Sequence, residues 1–475
     1  MFRPLVPALI VAALAATPLP LEASGGGRTA VVTTNADAGP GSFRAAVVRA
    51  NADPAVTRIE FGGRARLVAL ATTVEFTGTQ PLTIDGNGAT IDGGAIAAGA
   101  AFRATGGGDL ALVALTVRRA PAEGVDVQVP LSATGTVRVW LGGVTIADNK
   151  GHGVLINDQV DSSTTDGVQP NDAGSDASIA VAVTTSRFLR NGFSVSDRDG
   201  LRVNEGGAGD LTFASRFLEA EANAADGVEI DERGAGDVRL DVWSSRFTRN
   251  GAFDPADLDD GFDIDEYNDG SIVGLVALTS ANDNYEEGFD FNENNLGDLR
   301  VNLAFVDVSR NGEEGIDYEE DDDFAGGGDL VTVMYGVRTN GNGVNGGDAG
   351  LKIREKGVGE LQATVTGAEA SENLTAGVSI REDNVGSLVA TLNSVKALSN
   401  AGHGIDFDEN RASTSDSGNL SASVTGGAAS NNGGAGIRAD QQTPGTGNLV
   451  LTGVELLANV GGPTTGGGVT ITVVP

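Results

Sequence analysis

Cysteine is absent from the 475 residues, so neither a disulfide framework nor thiolate chemistry is open to this chain. Histidine occurs twice, at His152 and His403, each in a Gly-His-Gly turn far from the other in sequence. Two such isolated imidazoles read as surface turn residues and make poor catalytic bases. A Gly-x-Ser-x-Gly nucleophile motif is missing as well, as are an EF-hand loop and tandem calcium-binding β-roll nonapeptides. Basic residues are scarce: 31 Lys and Arg face 65 Asp and Glu, a net charge of -34. That balance argues against a nucleic-acid partner, whose phosphates attract basic surfaces, and for cations or cationic partners. Long apolar runs are also lacking, so no later segment spans a membrane. The run from Leu5 to Ala16 is short, follows Arg3, is broken by Pro7, Pro18 and Pro20, and precedes the small residues Ala23 and Ser24. Residues 1–23 therefore read as a signal peptide, and the mature chain is expected to be secreted, periplasmic or at the cell surface.

What remains is a repeat. From about residue 135 onward, apolar residues alternate, an Asn follows after a gap, and Gly-apolar-x-apolar-x-Glu closes the unit. Leu299, Val301, Leu303, Val308, Asn311 and Gly315 through Glu320 make one copy; Leu388, Ala390, Leu392, Ala397, Asn400 and Gly404 through Glu409 make another. The closing Gly recurs at 153, 200, 227, 261, 288, 315, 350, 377, 404 and 436, with a base spacing of 27 residues. Alternation with period two means strands. Three short strands per 27 residues match one turn of a parallel β-helix. The expected fold is all-β, a right-handed parallel β-helix of about 12–13 coils over residues 62–475. Eleven asparagines from Asn149 to Asn459, among them Asn311, Asn340, Asn373 and Asn431, fall at one turn position and predict a ladder of stacked amides. The Gly before the third strand predicts positive φ or close approach. Residues 24–61 read as an N-terminal cap made of a strand and a helix from Ser42 to about Asn51, with Ser42 as N-cap and Phe43, Val47 and Ala50 on one face.

The run Val32-Thr33-Thr34, Gly39-Pro40-Gly41-Ser42-Phe43-Arg44 and Ala50-Asn51, followed by Pro81-Leu82-Thr83-Ile84-Asp85-Gly86 and Thr90-Ile91-Asp92-Gly93, resembles the opening of secreted bacterial right-handed β-helix proteins of the pectin-lyase-like superfamily. With the coils, the resemblance covers nearly all of the mature chain. It is specific for fold and weak for function, since polysaccharide lyases, hydrolases, epimerases, adhesins and passive surface proteins share it.

Insertions between coils fall either between the Asn and the Gly (192–199, 251–260, 341–349) or after the Glu (159–178, 321–329, 410–419), flanking the third strand. Insertions on one side of a solenoid build its binding face. The outward positions of that strand form one row from Arg202 through Glu229, Asp263, Asp290, Asp317 and Lys352, and a second through Asp265, Asn292, Glu319 and Arg354. A file of glutamates follows immediately, with Glu266, Glu293 and Glu320 in its middle. Between Asp254 and Asp323 there are 23 acidic residues against Arg300 and Arg310. Carboxylates stacked about 4.8 Å apart repel by about 1 kcal/mol in water and roughly 3–4 kcal/mol at an effective dielectric of 20. Calcium, which prefers clustered hard oxygens, offsets that cost; solvated acidity with screening and raised pKa values is the alternative. The predicted calcium ligands are Asp263, Asp265, Glu266, Asp290, Asn292, Glu293, Asp317, Glu319 and Glu320. The resemblance adds a catalytic alternative, a calcium-dependent polysaccharide lyase in which Lys352 and Arg354 take the base and acid roles, although no family motif matches around them. A sign change that relieves the acidic stack explains the same two residues. Three functions stay open: a noncatalytic protein whose calcium-loaded face engages an extracellular polysaccharide or cell-surface component, the lyase, and an adhesin-like spacer.

Overall fold

The computed structural model describes residues 27–158, 174–256, 258–321, 327–409 and 418–474. The signal-peptide reading and most of each insertion after the Glu lie outside these residues. The chain is a right-handed parallel β-helix. One coil is built from the strands Val238–Trp243, Arg246–Thr248 and Phe262–Glu266, each paired in parallel with its counterparts one coil before and after. Among the described residues, third strands alone form a sheet of 14 strands, so the stack is slightly longer than the 27-residue spacing predicts. The additional coils are N-terminal, where Val74–Phe76, Phe102–Ala104 and Val125–Gln128 pair without the Asn and Glu that mark later coils.

Alternation explains the core. Val228, Ile230, Phe262, Ile264, Phe289, Phe291, Ile316 and Tyr318 are all fully buried, and burying each contributes roughly 1.5–3 kcal/mol. Aromatic rings meet along the axis: Phe262 stacks on Phe247 of the same coil with centroids 4.9 Å apart, and Phe291 meets Tyr318 at a tilt, also at 4.9 Å. At the N-terminal end, the helix Phe43–Ala52 closes this core. Ser42 Oγ accepts the Ala45 N–H at 3.1 Å, and Phe43, Ala46, Val47 and Ala50 are buried, with the Phe43 ring 5.3 Å from Phe61.

The asparagine ladder is present from Asn149 to Asn459, with two members different from those the spacing suggests. Asn284 Nδ2 donates to Asn311 Oδ1 at 3.1 Å, Asn311 donates to Asn342 at 3.2 Å, Asn342 to Asn373 at 3.2 Å, and Asn400 to Asn432 at 3.1 Å. Asn342 and Asn432 therefore replace Asn340 and Asn431. The physical reason is the residue just before each rung, which takes the left-handed conformation: Arg310 and Asn431 sit at φ 62° and 61°, and Gly341 at 71°. Asn340 lies two residues too early and instead accepts the Ser371 N–H at 2.8 Å. The closing Gly answers to close approach, not to positive φ: a Cβ on Gly261 would lie 2.5 Å from Asn284 Nδ2 and 2.6 Å from the Gly288 carbonyl.

Candidate metal centre

Two rows of side chains leave the third strands outward. In the first, Arg202, Glu229, Asp263, Asp290 and Asp317 stack coil on coil, and Lys352, Ser379, Asp406 and Arg438 continue the row. Asp231, Asp265, Asn292, Glu319 and Arg354 do the same in the second. The glutamate file does not share their direction. In Phe262-Asp263-Ile264-Asp265-Glu266 the buried positions are 262, 264 and 266, so Glu266 faces inward. Glu266, Glu293 and Glu320 are fully buried, which removes them from the outward oxygens that the sequence grouped with Asp263 and Asp290.

Another file takes their place. The residue before the closing Gly is Asp199, Asp226, Asp260, Glu287 or Glu314 in successive coils, all buried. The aspartates anchor the next turn: Asp199 Oδ1 accepts the Asp226 N–H at 3.1 Å, Asp226 Oδ1 the Asp260 N–H at 2.5 Å, and Asp260 Oδ1 the Glu287 N–H at 2.6 Å. His152 and His403 belong to this same file. His152 Nδ1 accepts the Asp199 N–H at 3.1 Å and His403 Nδ1 accepts the Ala435 N–H at 2.9 Å, so both are turn anchors; His152 is buried, not a surface residue. A recurring acid before Gly was visible in the sequence as Asp-Gly or Glu-Gly at five consecutive coils.

The turn file and the first outward row converge. Carboxylate oxygens of Asp226, Glu229 and Asp263 lie within 4.8 Å of one another, as do those of Asp260, Asp263 and Asp290. Asp197, Asp199 and Glu229 form a similar group, and Glu287, Glu313 and Glu314 another. Cations occupy the two ends of the stack. Arg202 pairs with Asp197 and Glu229 and lies 2.9 Å from Asp231 and 3.6 Å from Asp199. Lys352 Nζ lies 2.6 Å from Asp317 and 3.0 Å from Glu319, while Arg354 is 2.6 Å from Asp383. Lys356 pairs with Glu319 and, at 2.6 Å, with Asp321.

Between those ends the carboxylates face one another. Asp263 Oδ1, Asp290 Oδ1 and Glu229 Oε2 are buried atoms without a hydrogen-bond partner. Asn292 Nδ2 donates to Asp290 Oδ2 at 2.8 Å, and the Tyr267 hydroxyl donates to Asp265 at 2.6 Å. Burial, reinforced by Asp265 and Asp290, holds the Asp263 carboxyl well above the usual carboxylate range; burial and then Asp317 do the same to Asp290. Burial pushes Asp260 and Asp317 up to about 6, with Lys352 opposing the shift at Asp317. Burial works against the Lys352 charge, yet Asp317, Glu314 and Asp290 outweigh it and keep the ammonium protonated beyond its ordinary range. The donor set thus consists of hard carboxylate oxygens, three to a group, with buried lone pairs that nothing among the described residues satisfies. Such oxygens suit a hard cation and not a thiolate-seeking metal.

No protein-family model and no curated protein matches the sequence. Among solved structures, the Dettilon tailspike protein is 13% identical over 90% of this chain, with a TM-score of 0.41; the chain spans 65% of that protein's length. The periplasmic alginate epimerase AlgG is 11% identical over 88% of this chain and 77% of its own, with a TM-score of 0.39. The Streptococcus pneumoniae surface protein and adhesin PfbA is 11% identical over 91% of this chain and 95% of its own, with a TM-score of 0.30. At these values the likeness assigns no function. Among the described residues, no helix is long and apolar enough to cross a membrane.

Proposed function

We propose that this is a secreted or surface-exposed, noncatalytic β-helix protein whose acidic face binds calcium and through it, or through the flanking loops, engages an extracellular polysaccharide or cell-surface component. The observation that carries this reading is the uncompensated middle of the stack, where Asp263 and Asp290 keep buried, partnerless oxygens between the Arg202 and Lys352 ends. Asp226, Glu229, Asp260, Asp263 and Asp290 would hold the ions; Asp265 and Asn292 of the second outward row lie beside them. Asp317 and Glu319, also expected as ligands, already hold Lys352. A bound cation cancels like-charge repulsion and offers open coordination to anionic sugars. The ion pairs of Lys352 favour a counter-charge role over that of a general base, which must shed its proton near neutral pH. The test is binding to immobilised acidic polysaccharides with calcium, with magnesium and with chelator. Retention only with calcium supports the reading. Release of unsaturated uronates, followed by ultraviolet absorbance, would establish the lyase instead, and no retention under any condition would leave a spacer.

A further inference from the structure

The buried glutamates form a second ladder, on the inner side of the same strands and independent of the acidic face. Glu205, Glu232, Glu266, Glu293, Glu320, Glu355, Glu382 and Glu409 stack in register over eight coils, each with no exposed surface. One oxygen of each is anchored by the backbone. Glu232 Oε1 accepts the Gly234 N–H at 2.9 Å, Glu293 Oε1 the Gly297 N–H at 2.9 Å, and Glu355 Oε1 the Gly357 N–H at 2.7 Å. The other oxygen, Oε2 of Glu232, Glu266, Glu293, Glu320, Glu355 and Glu382, is buried without a partner as long as every carboxyl is ionised. Each side chain is nevertheless in hydrogen-bonding contact with the glutamate of an adjacent coil. A proton on one of each pair is the group that completes those contacts. The column's own C-terminal end shows that a neutral group fits: Gln441 stacks on Glu409, and its Oε1 accepts the Leu420 N–H at 2.7 Å just as Glu409 Oε2 accepts the Leu388 N–H at 3.3 Å.

We propose that the glutamate ladder is a chain of neutral carboxylic acids, each donating its proton to the glutamate of a neighbouring coil, so that bound protons hold these coils together and their withdrawal at alkaline pH loosens the stack. The charged groups facing the ladder are themselves carboxyls, Asp158 against Glu205 and Asp298 against Glu293. Burial pushes the group up to about 10 at Glu205, about 9 at Glu232, Glu266 and Glu355, about 8 at Glu320, Glu382 and Glu409, and about 7 at Glu293; a neighbouring glutamate adds to the shift at Glu205, Glu355, Glu382 and Glu409, and its hydrogen bond opposes it at Glu232, Glu266, Glu293 and Glu320. A folded-state pKa raised above that of the unfolded chain gives stability that is full below the unfolded value and falls as pH rises toward the folded one.

Two measurements on the full chain in chelator test this. Infrared spectra near neutral pH should show the carbonyl band of protonated carboxylic acids, weakened in Glu266→Gln and Glu355→Gln. Denaturant unfolding followed between about pH 6 and pH 8 should show each Gln substitution removing about one proton from the linkage, a tenfold change in unfolding constant per pH unit. Absence of the infrared band in the parent protein overturns the proposal even if a variant fails to fold. An unchanged slope in both Gln variants overturns it too, and an alkaline loss that added calcium abolishes through this ladder, seen as calcium binding lost in the Gln variants, would make cations and not protons the glue.

Discussion

Replacing Asp290 by Asn should change sign with the metal content of the solution. In chelator, Asp290 stacks between Asp263 and Asp317 in register. Like charges about 4.8 Å apart cost about 1 kcal/mol per contact in water and roughly 3–4 kcal/mol at an effective dielectric of 20. Asp317 acts on Asp290 most strongly among the neighbouring carboxylates, and Lys352 offsets only part of the effect. An amide in place of the carboxylate should therefore raise stability by about 1–3 kcal/mol. The gain is the same in kind if Asp290 is protonated instead of charged, because keeping a proton that the unfolded chain releases is itself destabilising near neutral pH. With calcium, the substitution removes a ligand. A cation that binds only the folded stack adds about 2.7 kcal/mol at a hundredfold excess over its dissociation constant, and that increment should disappear. Thermal unfolding near pH 7.5 at fixed ionic strength, with calcium, magnesium or chelator, reads both signs. If Asp290→Asn lowers stability equally in all three, or if every salt stabilises the parent alike, the carboxylates are a screened surface and the reasoning fails.

Calcium should also expel protons: because Asp263 and Asp290 sit well above the carboxylate range and Asp260 near 6, adding calcium at about pH 6 should acidify an unbuffered solution, and affinity should rise with pH. A pH-stat showing no release contradicts this. Asn342→Ala should destabilise by roughly 1–3 kcal/mol in chemical denaturation, since its neighbours Asn311 and Asn373 each lose a buried hydrogen bond; Asn340→Ala, outside the ladder, should do less. Lys352→Met should destabilise by roughly 3–5 kcal/mol in chelator by stranding Asp317, whereas Glu319 keeps Lys356, with Asp317→Asn in the same chain recovering part of the loss.

Much of this was legible before any coordinates. The 27-residue spacing of Gly261, Gly288 and Gly315 placed Asp263, Asp290 and Asp317 in one row, and the structure pairs them in that order. Alternation of Phe and Ile with Asp gave the buried side. The direction of Glu266 followed from the same alternation carried one residue further, and Val129, buried where that column begins, was its apolar signature. A charged residue at an inward position contradicts the ordinary rule that carboxylates seek water, and only stacking with backbone N–H anchors makes it tenable. Asn342 was hidden for a different reason: the insertion around it breaks the count, and the left-handed residue before each rung is a backbone property that Gly341 discloses only in hindsight. The turn file from Asp199 to Glu314 is hard to read in the sequence because a turn beside Gly suggests a solvent-facing side chain, whereas the carboxylates of Asp199, Asp226, Asp260 and Glu314 each accept a hydrogen bond from the following coil.

A solenoid multiplies whatever it places at one position, so a single carboxylate becomes a column of like charge. The chain meets this in distinct ways along one set of strands. Uncharged amides fill the turn column from Asn149 to Asn459. Arg202, Lys352 and Arg438 interrupt the first outward row, each paired with carboxylates of an adjacent coil. Among the described residues, the outward row runs acid upon acid at Asp263 and Asp290 with the acids Asp226 and Asp260 behind it and no Lys or Arg ion pair to either. Random acidity for solubility would not concentrate where burial makes it most expensive, nor would it leave the two ends neutralised and the middle open. On the function proposed above, an external cation accounts for both.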